Sequence, residues 1–244
     1  MLSKNQIKLI NSLQQKKYRN LNGLFIVEGK KSVNEFLQSN FELDSLFVLE
    51  GQEIKIKNKK IDKIVITSNE LKKISALKNP NQFLGVFKIP KNTEVVDYGL
   101  ILALDDIKDP GNLGTIIRLC DWFGIKQLVC SLETVDCYNP KVVQASMGSL
   151  TRVNIIYTDL KEYISKTELP IYATLLEGNN VYKSKLPKDA IIIMGNEANG
   201  ISDTISLLST NKITIPNFSK TKQTESLNVA MATSIVLSEF KRGK

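Results

Sequence analysis

The chain has 244 residues, is 42% hydrophobic and carries a net charge of +8. It is long enough for one or two ordinary cores, and its composition is not that of a disordered chain. No apolar run approaches the roughly 20 residues that span a bilayer, and no signal-peptide pattern is present, so we expect a cytoplasmic protein with no membrane partner. Histidine is absent, which excludes Ser-His-Asp and Cys-His nucleophile schemes. The three cysteines lack CxxC spacing, so no disulfide framework and no metal site is expected.

Positive charge is concentrated in the first part of the chain. Residues 1–99 contain 17 Lys and Arg against 10 Asp and Glu, whereas residues 100–244 contain 16 against 15. This asymmetry favours a front part that binds a polyanion, and the alternative is that the lysines only solvate helix faces. The acid-free first 27 residues are similar in charge to a mitochondrial presequence, but they have no arginine before Arg19 and continue into sequence of folded character.

The first ninety residues alternate helical and strand patterns. A helix is predicted over residues 2–17, with Ile7, Ile10 and Leu13 on one side and lysines on the other. The following segments are, in order, LFIVEG (strand), KKSVNEFLQS (helix), SLFVLE and DKIVITS (strands), NELKKISAL (helix) and FLGVFKI (strand). We therefore predict a small α/β domain over residues 1–90 and a linker over residues 91–99, where proline, glycine and polar residues cluster.

From Leu100 the alternation of strands and helices continues, and we predict a second domain over residues 100–244. The predicted strands are LILALDD, KQLVCS, RVNIIY, IYATLL, IIIMG and ITI; the helices lie at 112–123, near 141–150, near 160–165 and from Ser226 onwards. This order is typical of an α/β fold with a mainly parallel sheet covered on both faces.

Polar residues follow three of these strands. Asp109 to Asn112 form a strong turn signal, with Asn112 as the expected N-cap of the next helix. Arg118 lies further along this otherwise apolar helix, and unpaired burial of its charge is too costly. We therefore expect an anionic partner for Arg118: a structural carboxylate, a residue of a second subunit or a substrate phosphate.

The other two junctions contain Glu197, in the loop between Gly195 and Gly200, and the pair Ser226 and Asn228. Glu197 either caps the helix region after Gly200 or orients a ligand, and Ser226 is a candidate N-cap. The loop has neither GxGxxG nor GK[ST] spacing, so a dinucleotide or NTP phosphate cradle is not indicated. In an open α/β sheet ligands bind at such strand ends, so these junctions together predict a binding site.

Three segments of the chain carry a resemblance to a known family: DPGNLGTIIRLCDWFGI, IIIMGNEANGIS, and ITIP followed by ESLNVAMATSIVLSEF. In order and at similar separation, they resemble the signature motifs of the SpoU (TrmH-like) branch of the SPOUT methyltransferases. The segment KKYRNLNGLFIVEGKKSVNEFL is similar to the RNA substrate-binding domain of longer members, which resembles a ribosomal protein.

This resemblance implies a homodimer with a trefoil-knotted cofactor region that transfers a methyl group from S-adenosylmethionine to a ribose 2'-hydroxyl of RNA, with rRNA favoured. It implies catalytic roles for Asn112, Arg118, Glu197, Ser226 and Asn228. The implied cofactor-binding residues are Thr174, Leu175, Met194, Gly195, Gly200, Ile215, Pro216 and Leu227. The basic positions expected to bind RNA are Lys16, Lys17, Arg19 and Lys30.

Several alternatives stay open at this point. A guanidinium is a poor base, so Arg118 either activates the hydroxyl or clamps a phosphate and stabilises the developing alkoxide, and Glu197 orients Arg118 or Asn112. The substrate alternative is tRNA. A non-catalytic RNA-binding module of the same fold and a small-molecule nucleotide enzyme are the competing classes. The first is disfavoured by the intact polar set and the second by the basic front domain.

Overall fold

A computed structural model describes residues 2–54, 62–91, 95, 97–219, 221 and 225–243. The chain divides into two compact units. The first is formed by Met1–Asn92 together with Asp136–Thr151, and the second by Thr93–Val135 together with Arg152–Lys244. Part of the predicted linker at 91–99 lies outside the described residues.

The described residues of the first unit form a four-stranded mixed sheet and five α-helices. Its strands are β1 (Leu24–Glu28), β2 (Leu43–Leu49), β3 (Ile64–Ile66) and β4 (Phe83–Lys88), and its helices are α1 (Lys4–Ser12), α2 (Lys16–Asn22), α3 (Lys30–Leu37), α4 (Ser68–Ile74) and α6 (Pro140–Ser146). The sheet order is β1-β4-β2-β3. Strand β4 is antiparallel to both of its neighbours, and β3 is parallel to β2.

The single helix predicted over residues 2–17 is two helices. Ser3 and Gln6 form a capping box that starts α1, and Leu13 follows its last turn. Ile10 and Leu13 are buried in the core against β1, β2 and β4 residues. The chain becomes extended at Gln15 before α2 begins, and Gly23, in the left-handed region, ends α2. The apolar pattern therefore gave the buried face correctly and missed the break.

The second unit contains a six-stranded sheet with helices packed on it. The strands are β5 (Leu100–Asp105), β6 (Gln127–Ser131), β7 (Asn154–Thr158), β8 (Ile171–Asn180), β9 (Ala190–Gly195) and β10 (Asn211–Thr214), and the helices are α5 (Pro110–Trp122), α7 (Leu160–Ser165), α8 (Asp203–Leu208) and α9 (Val229–Lys241). The order is β10-β8-β9-β5-β6-β7, and every neighbouring pair is parallel. The predicted α/β class with a parallel sheet is confirmed.

The strand order of the second unit contains a reversal. From β5 the chain proceeds through α5 to β6 and then β7 on one side, whereas from β9 it proceeds through α8 to β10 on the other side. The neighbouring ends of β5 and β9 are therefore followed by loops that diverge, which leaves a crevice at the carboxyl edge of the sheet. Strands β5, β6 and β9 are almost wholly buried, as their apolar sequences predict.

Candidate active site

The end of β5 is tied to the loop after β9 by a buried carboxylate. Asp105 pairs with Gly195 across the sheet, and its Oδ2 accepts from the Ser202 backbone N–H at 2.8 Å and from the Ser202 hydroxyl at 2.7 Å. Asp106 follows with φ of 61°, a left-handed conformation that aspartate tolerates better than most residues. This arrangement was not predicted, although two aspartates at the end of an apolar strand were a usable signal.

Asn196 shapes the loop that contains Glu197. Its Nδ2 donates to the Asp106 carbonyl at 2.7 Å, and its Oδ1 accepts from the backbone of Ala198 and Asn199. Its backbone also pairs in both directions with Gly200 at 2.9 Å. A Cβ on Gly195 would lie 2.3 Å from the Gly200 carbonyl carbon, so only glycine fits there. The sequence pattern indicated Gly195 and Gly200 as the ends of this loop but gave no role to Asn196.

Helix α5 begins one turn earlier than predicted. Asp109, not Asn112, is the N-cap, and its Oδ1 accepts from the Asn112 backbone N–H at 2.7 Å, with Pro110 at the first helical position. The expectation that Asn112 caps the helix is wrong. Because Asp109 performs the capping, the side-chain amide of Asn112 is available for other partners.

The three polar junctions meet at the Asn112 amide. Asn112 Nδ2 donates to Glu197 Oε1 at 2.6 Å, and Asn112 Oδ1 accepts from Asn228 Nδ2 at 2.9 Å. Asn228 Oδ1 in turn accepts from the backbone of Ala230 and Met231 and caps α9. The Glu197 carboxylate therefore binds Asn112, one of the two side chains that it was expected to orient, and the orientation of a ligand by Glu197 stays a prediction. These hydrogen bonds link Asn228, Asn112 and Glu197 into a chain, the amide relay, which holds the Glu197 carboxylate at the crevice.

Ser226 is not part of this relay. Helix α9 begins at Val229, and both Ser226 and Leu227 lie exposed before it. The prediction that Ser226 opens a helix is wrong, because the two hydrogen bonds accepted by the Asn228 side chain place the start of the helix after Asn228. Met231 is also exposed, so α9 is not buried on every side.

Arg118 lies on the exposed face of α5. The buried stripe of this helix consists of Leu113, Gly114, Ile116, Ile117 and Cys120, whereas Arg118 and Trp122 lie on the solvent side. Within the described part of the chain Arg118 has neither a hydrogen bond nor an ion pair. The expectation that Arg118 is buried is therefore wrong. Of its three expected anionic partners, a structural carboxylate is absent among the described residues, and a residue of a second subunit and a substrate phosphate stay predictions.

Six of the eight predicted cofactor residues come from three neighbouring strands or from the residues that follow them, and Gly200 and Leu227 lie outside these strands. Strand β8 pairs with β9 only as far as Ala173, and its pairing with β10 passes from Ala173 directly to Asn179. Thr174 lies where this regular pairing stops, and its hydroxyl is buried without a hydrogen-bond partner among the described residues. Three pairs, Thr174–Leu175, Met194–Gly195 and Ile215–Pro216, come from β8, from the end of β9 and from the residues after β10. Because parallel strands end at the same edge, these pairs share it with the Glu197 loop.

The predicted RNA-binding residues divide into two kinds. Lys16, Lys17 and Lys30 are exposed. Arg19 is 2% exposed, and its guanidinium donates to Asp136 and to the backbone carbonyls of Leu13 and Gln14. Arg19 is therefore a structural residue of the first unit and not an RNA contact, because its donors are used internally.

For metal binding and cysteine chemistry, the described part of the chain gives little support. There, no group of three or more His, Cys, Asp or Glu side chains could hold a metal ion. All three cysteines are free and buried, and burial raises the pKa of the Cys120 thiol. Among the described helices, none is long and apolar enough to cross a membrane.

Comparison with known families agrees with the motifs. The SpoU rRNA Methylase family matches residues 99–238, and the MRM3-like substrate binding domain matches residues 4–85. The fold and the site define an RNA methyltransferase built on a parallel α/β sheet. The chain belongs to the SpoU rRNA Methylase family, which confirms the resemblance found in its sequence.

Individual relatives agree over the whole length. The chain is 26% identical, over 96% of both sequences, to the 23S rRNA (guanosine(2553)-2'-O)-methyltransferase RlmP of Bacillus subtilis. A TrmH-family protein from Porphyromonas gingivalis is 36% identical, with a TM-score of 0.89 and full coverage of both chains. An AdoMet-bound rRNA methyltransferase from Sinorhizobium meliloti is 26% identical, with a TM-score of 0.85, covering 99% of this chain and 96% of that one.

Proposed function

We propose that this protein transfers the methyl group of S-adenosylmethionine to a ribose 2'-hydroxyl of ribosomal RNA. The observation that carries the proposal is the relay from Asn228 through Asn112 to Glu197, which joins all three family motifs at the carboxyl edge of the sheet. The similar B. subtilis protein is named for 2'-O-methylation of 23S rRNA, and the similar S. meliloti structure is an rRNA methyltransferase with AdoMet bound.

The residues at the strand ends fit this cofactor. A buried hydroxyl without a partner, as on Thr174, is costly unless a ligand supplies the hydrogen bond, and the cofactor has an amino acid group, ribose hydroxyls and an adenine that can do so. Gly195 allows the loop backbone to pass closely over the strand end. We assign cofactor binding to Thr174, Leu175, Met194, Gly195, Gly200, Ile215, Pro216 and Leu227.

The protein itself has to align the ribose hydroxyl and help its proton leave. When bound, S-adenosylmethionine supplies an activated methyl group on a sulfonium, so the enzyme needs to orient the attacking hydroxyl and stabilise the charge that develops on it. Glu197 is fixed by Asn112, and Asn112 by Asn228, so the carboxylate position is set by three motifs at once.

Arg118 serves best as a clamp for the RNA. A guanidinium is permanently charged in proteins and is a poor base, and within the described residues no carboxylate pairs with Arg118 to receive a proton. An exposed, unpaired guanidinium is well suited to bidentate binding of a phosphate. We therefore assign Arg118 to the phosphate beside the target ribose and to the developing alkoxide, and not to general base catalysis.

The assembly proposed with this function is a cytoplasmic homodimer. Trp122 on α5 and Met231 on α9 are 84% and 64% exposed, and these two helices pack against each other. Large apolar side chains on neighbouring surface helices favour a second copy as their partner. Sedimentation analysis tests this: we expect a dimer that Trp122→Glu weakens, and a monomeric wild-type protein would contradict it.

The two family matches, at residues 4–85 and 99–238, support a division into two domains. We propose an RNA substrate-binding domain at 1–90, a linker at 91–99 and a methyltransferase domain at 100–244. Family membership also supports a trefoil knot in the cofactor region.

Methyl transfer to separate RNA pools tests the substrate class. Unmodified rRNA and tRNA are each incubated with the protein and methyl-labelled S-adenosylmethionine. We expect label in rRNA. Label only in tRNA would contradict the substrate, and no binding of S-adenosylmethionine by calorimetry would contradict the enzymatic function.

A further inference from the structure

A groove lies between α1 and α2 in the first unit. It has a volume of about 740 Å³ and is lined by Asn5, Lys8, Leu9, Asn11, Ser12, Gln15, Tyr18, Leu21 and Asn22. Four of these nine side chains are carboxamides, and none is acidic. Such a lining differs from an ordinary solvated helix face, where lysines and glutamates alternate.

The amides of the groove are partly fixed and partly free. Asn11 Nδ2 donates to the Lys73 carbonyl at 2.9 Å, and Asn22 Nδ2 donates to the Tyr18 carbonyl at 2.8 Å, which holds these two side chains in place. Asn5 and Gln15 are exposed, and their side chains make no hydrogen bond within the described ranges. Gln15 precedes α2 without capping it. Donors and acceptors are therefore available to a planar polar ligand.

The groove also offers apolar contact. Leu21 is 76% exposed, although Arg19, which lies on the same helix, is buried. The ring of Tyr18 is half-buried, and Lys17 Nζ lies 5.9 Å from its centroid. An aromatic ring, an exposed leucine and free amides together match a nucleobase, which presents an apolar face and a polar edge.

The positive charge around the groove indicates that the base belongs to a polyanion. Lys4, Lys8, Lys16 and Lys17 are all exposed, and the chain has no acidic residue before Glu28. With Arg19 paired internally, these four lysines account for the free positive charge of α1 and α2. Their charge complements a phosphate backbone.

We propose that the groove between α1 and α2 binds an unpaired segment of the RNA substrate and reads at least one base. The inference rests on the proposed function, because it takes RNA as the substrate. Base edges are accessible to side chains in single strands and are hidden in the deep groove of an RNA duplex. Tyr18 and Leu21 contact the base face, Asn5 and Gln15 contact its edge, and the lysines contact phosphates.

Binding of two labelled RNAs by the full-length protein, without cofactor, tests this assignment. One RNA is a mixed-sequence single strand of about 12 nucleotides, within the site size of single-strand-binding folds, and the other is a blunt-ended RNA duplex of the same length, which has no unpaired loop. We expect Tyr18→Ala and Leu21→Ala each to weaken single-strand binding by roughly 5- to 100-fold. Both variants should leave duplex binding unchanged. Tyr18→Phe, which keeps the ring, should bind like wild type, and so should Val65→Ala, which shortens an exposed residue elsewhere in the unit.

Salt dependence separates base contacts from phosphate contacts. Replacing Lys16 and Lys17 by Gln should lower the slope of log K against log salt by about 1.4, since each phosphate contact to a single strand contributes about 0.7. Tyr18→Ala and the pair Asn5→Ala with Gln15→Ala should leave the slope unchanged, and the pair should reduce discrimination between RNA sequences.

Two results would overturn the proposal. The first is single-strand affinity that is unchanged in both Tyr18→Ala and Leu21→Ala, which would leave the groove to a protein partner or to solvent. The second is an equal loss on the duplex, which would show that the groove does not select unpaired bases. Because binding is measured without cofactor, a failure of methyl transfer with intact groove binding would reject the proposed reaction and not this site.

Discussion

One arginine in the first unit and one in the second have opposite environments. In the first unit Arg19 is buried, and its guanidinium is bound by Asp136 and two backbone carbonyls. In the second unit Arg118 is exposed on α5 and has no partner among the described residues. A charge that is satisfied inside the fold stabilises structure, whereas a charge that is left unsatisfied on the surface is available for a substrate.

Breaking the buried pair should produce the largest loss of stability. Arg19→Gln leaves Asp136, whose side chain is 12% exposed, without its counter-charge, and we expect a loss of about 3–5 kcal/mol in the free energy of unfolding. Denaturant unfolding measures this. Lys16→Gln, at an exposed position of the same helix, should change stability by less than about 0.5 kcal/mol. Equal, small effects of the two substitutions would contradict the structural role of Arg19.

Removing the exposed arginine should affect catalysis and leave the fold intact. Arg118→Ala is expected to lower methyl transfer by roughly 10²- to 10³-fold, the effect of removing one charge-stabilising donor. The affinity for S-adenosylmethionine should change little. Arg152 is the matched control, because its guanidinium pairs with Asp121 in the same unit, and Arg152→Ala should keep most of the activity. Unaltered turnover of Arg118→Ala would remove Arg118 from the mechanism.

The amide relay predicts a smaller, non-additive effect. Asn112→Ala and Asn228→Ala each release Glu197 from its fixed position, so we expect each to reduce the turnover rate by about 10-fold or more. The double variant should lose less than the sum of the two free-energy changes, because both act through one network. Asn228→Ala should also cost about 1 kcal/mol of stability through loss of the α9 cap. Strictly additive rate effects would show that the two amides act independently.

Stability of the first unit should depend on pH through Glu28. Burial raises the pKa of this carboxyl, against the lowering effect of its hydrogen bonds from the Ser75 hydroxyl and the Ala76 backbone. The folded state then holds the proton more tightly than the unfolded chain, so unfolding free energy falls as pH rises from the ordinary value of 4.5 through the folded-state pKa. Glu28→Gln lacks this titration, and its stability relative to wild type should rise over that range. A difference that is constant with pH would contradict the assignment.

The sequence predicted the architecture and the convergence at the site better than it predicted local caps. Asn112, Glu197 and Asn228 follow three different elements, and the parallel sheet brings them within hydrogen-bonding distance. Two predicted helix N-termini, at Asn112 and at Ser226, were wrong. Several good cap residues lie close together at each of these places, and only the structure shows which side chain accepts the backbone amide hydrogens.

The environments of Arg19 and Arg118 could not be predicted either, and the reason is a different one. Asp136 is 117 residues from Arg19 along the chain, so no local pattern links them. For Arg118, apolar neighbours at 116, 117 and 120 suggested burial, but a helix rotates each residue by about 100° and the stripe passes beside Arg118. Asn196 and Asp105 were missed because each acts through backbone groups that a sequence does not display.

The most direct test of the central claim is the chemical position of the transferred methyl group. After transfer of labelled methyl to rRNA, the RNA is hydrolysed in alkali, which cannot cleave the linkage next to a 2'-O-methylated ribose. We predict that the label is recovered in an alkali-resistant dinucleotide and that Arg118→Ala transfers almost none. Label released in single nucleotides would show methylation of a base and would contradict the account.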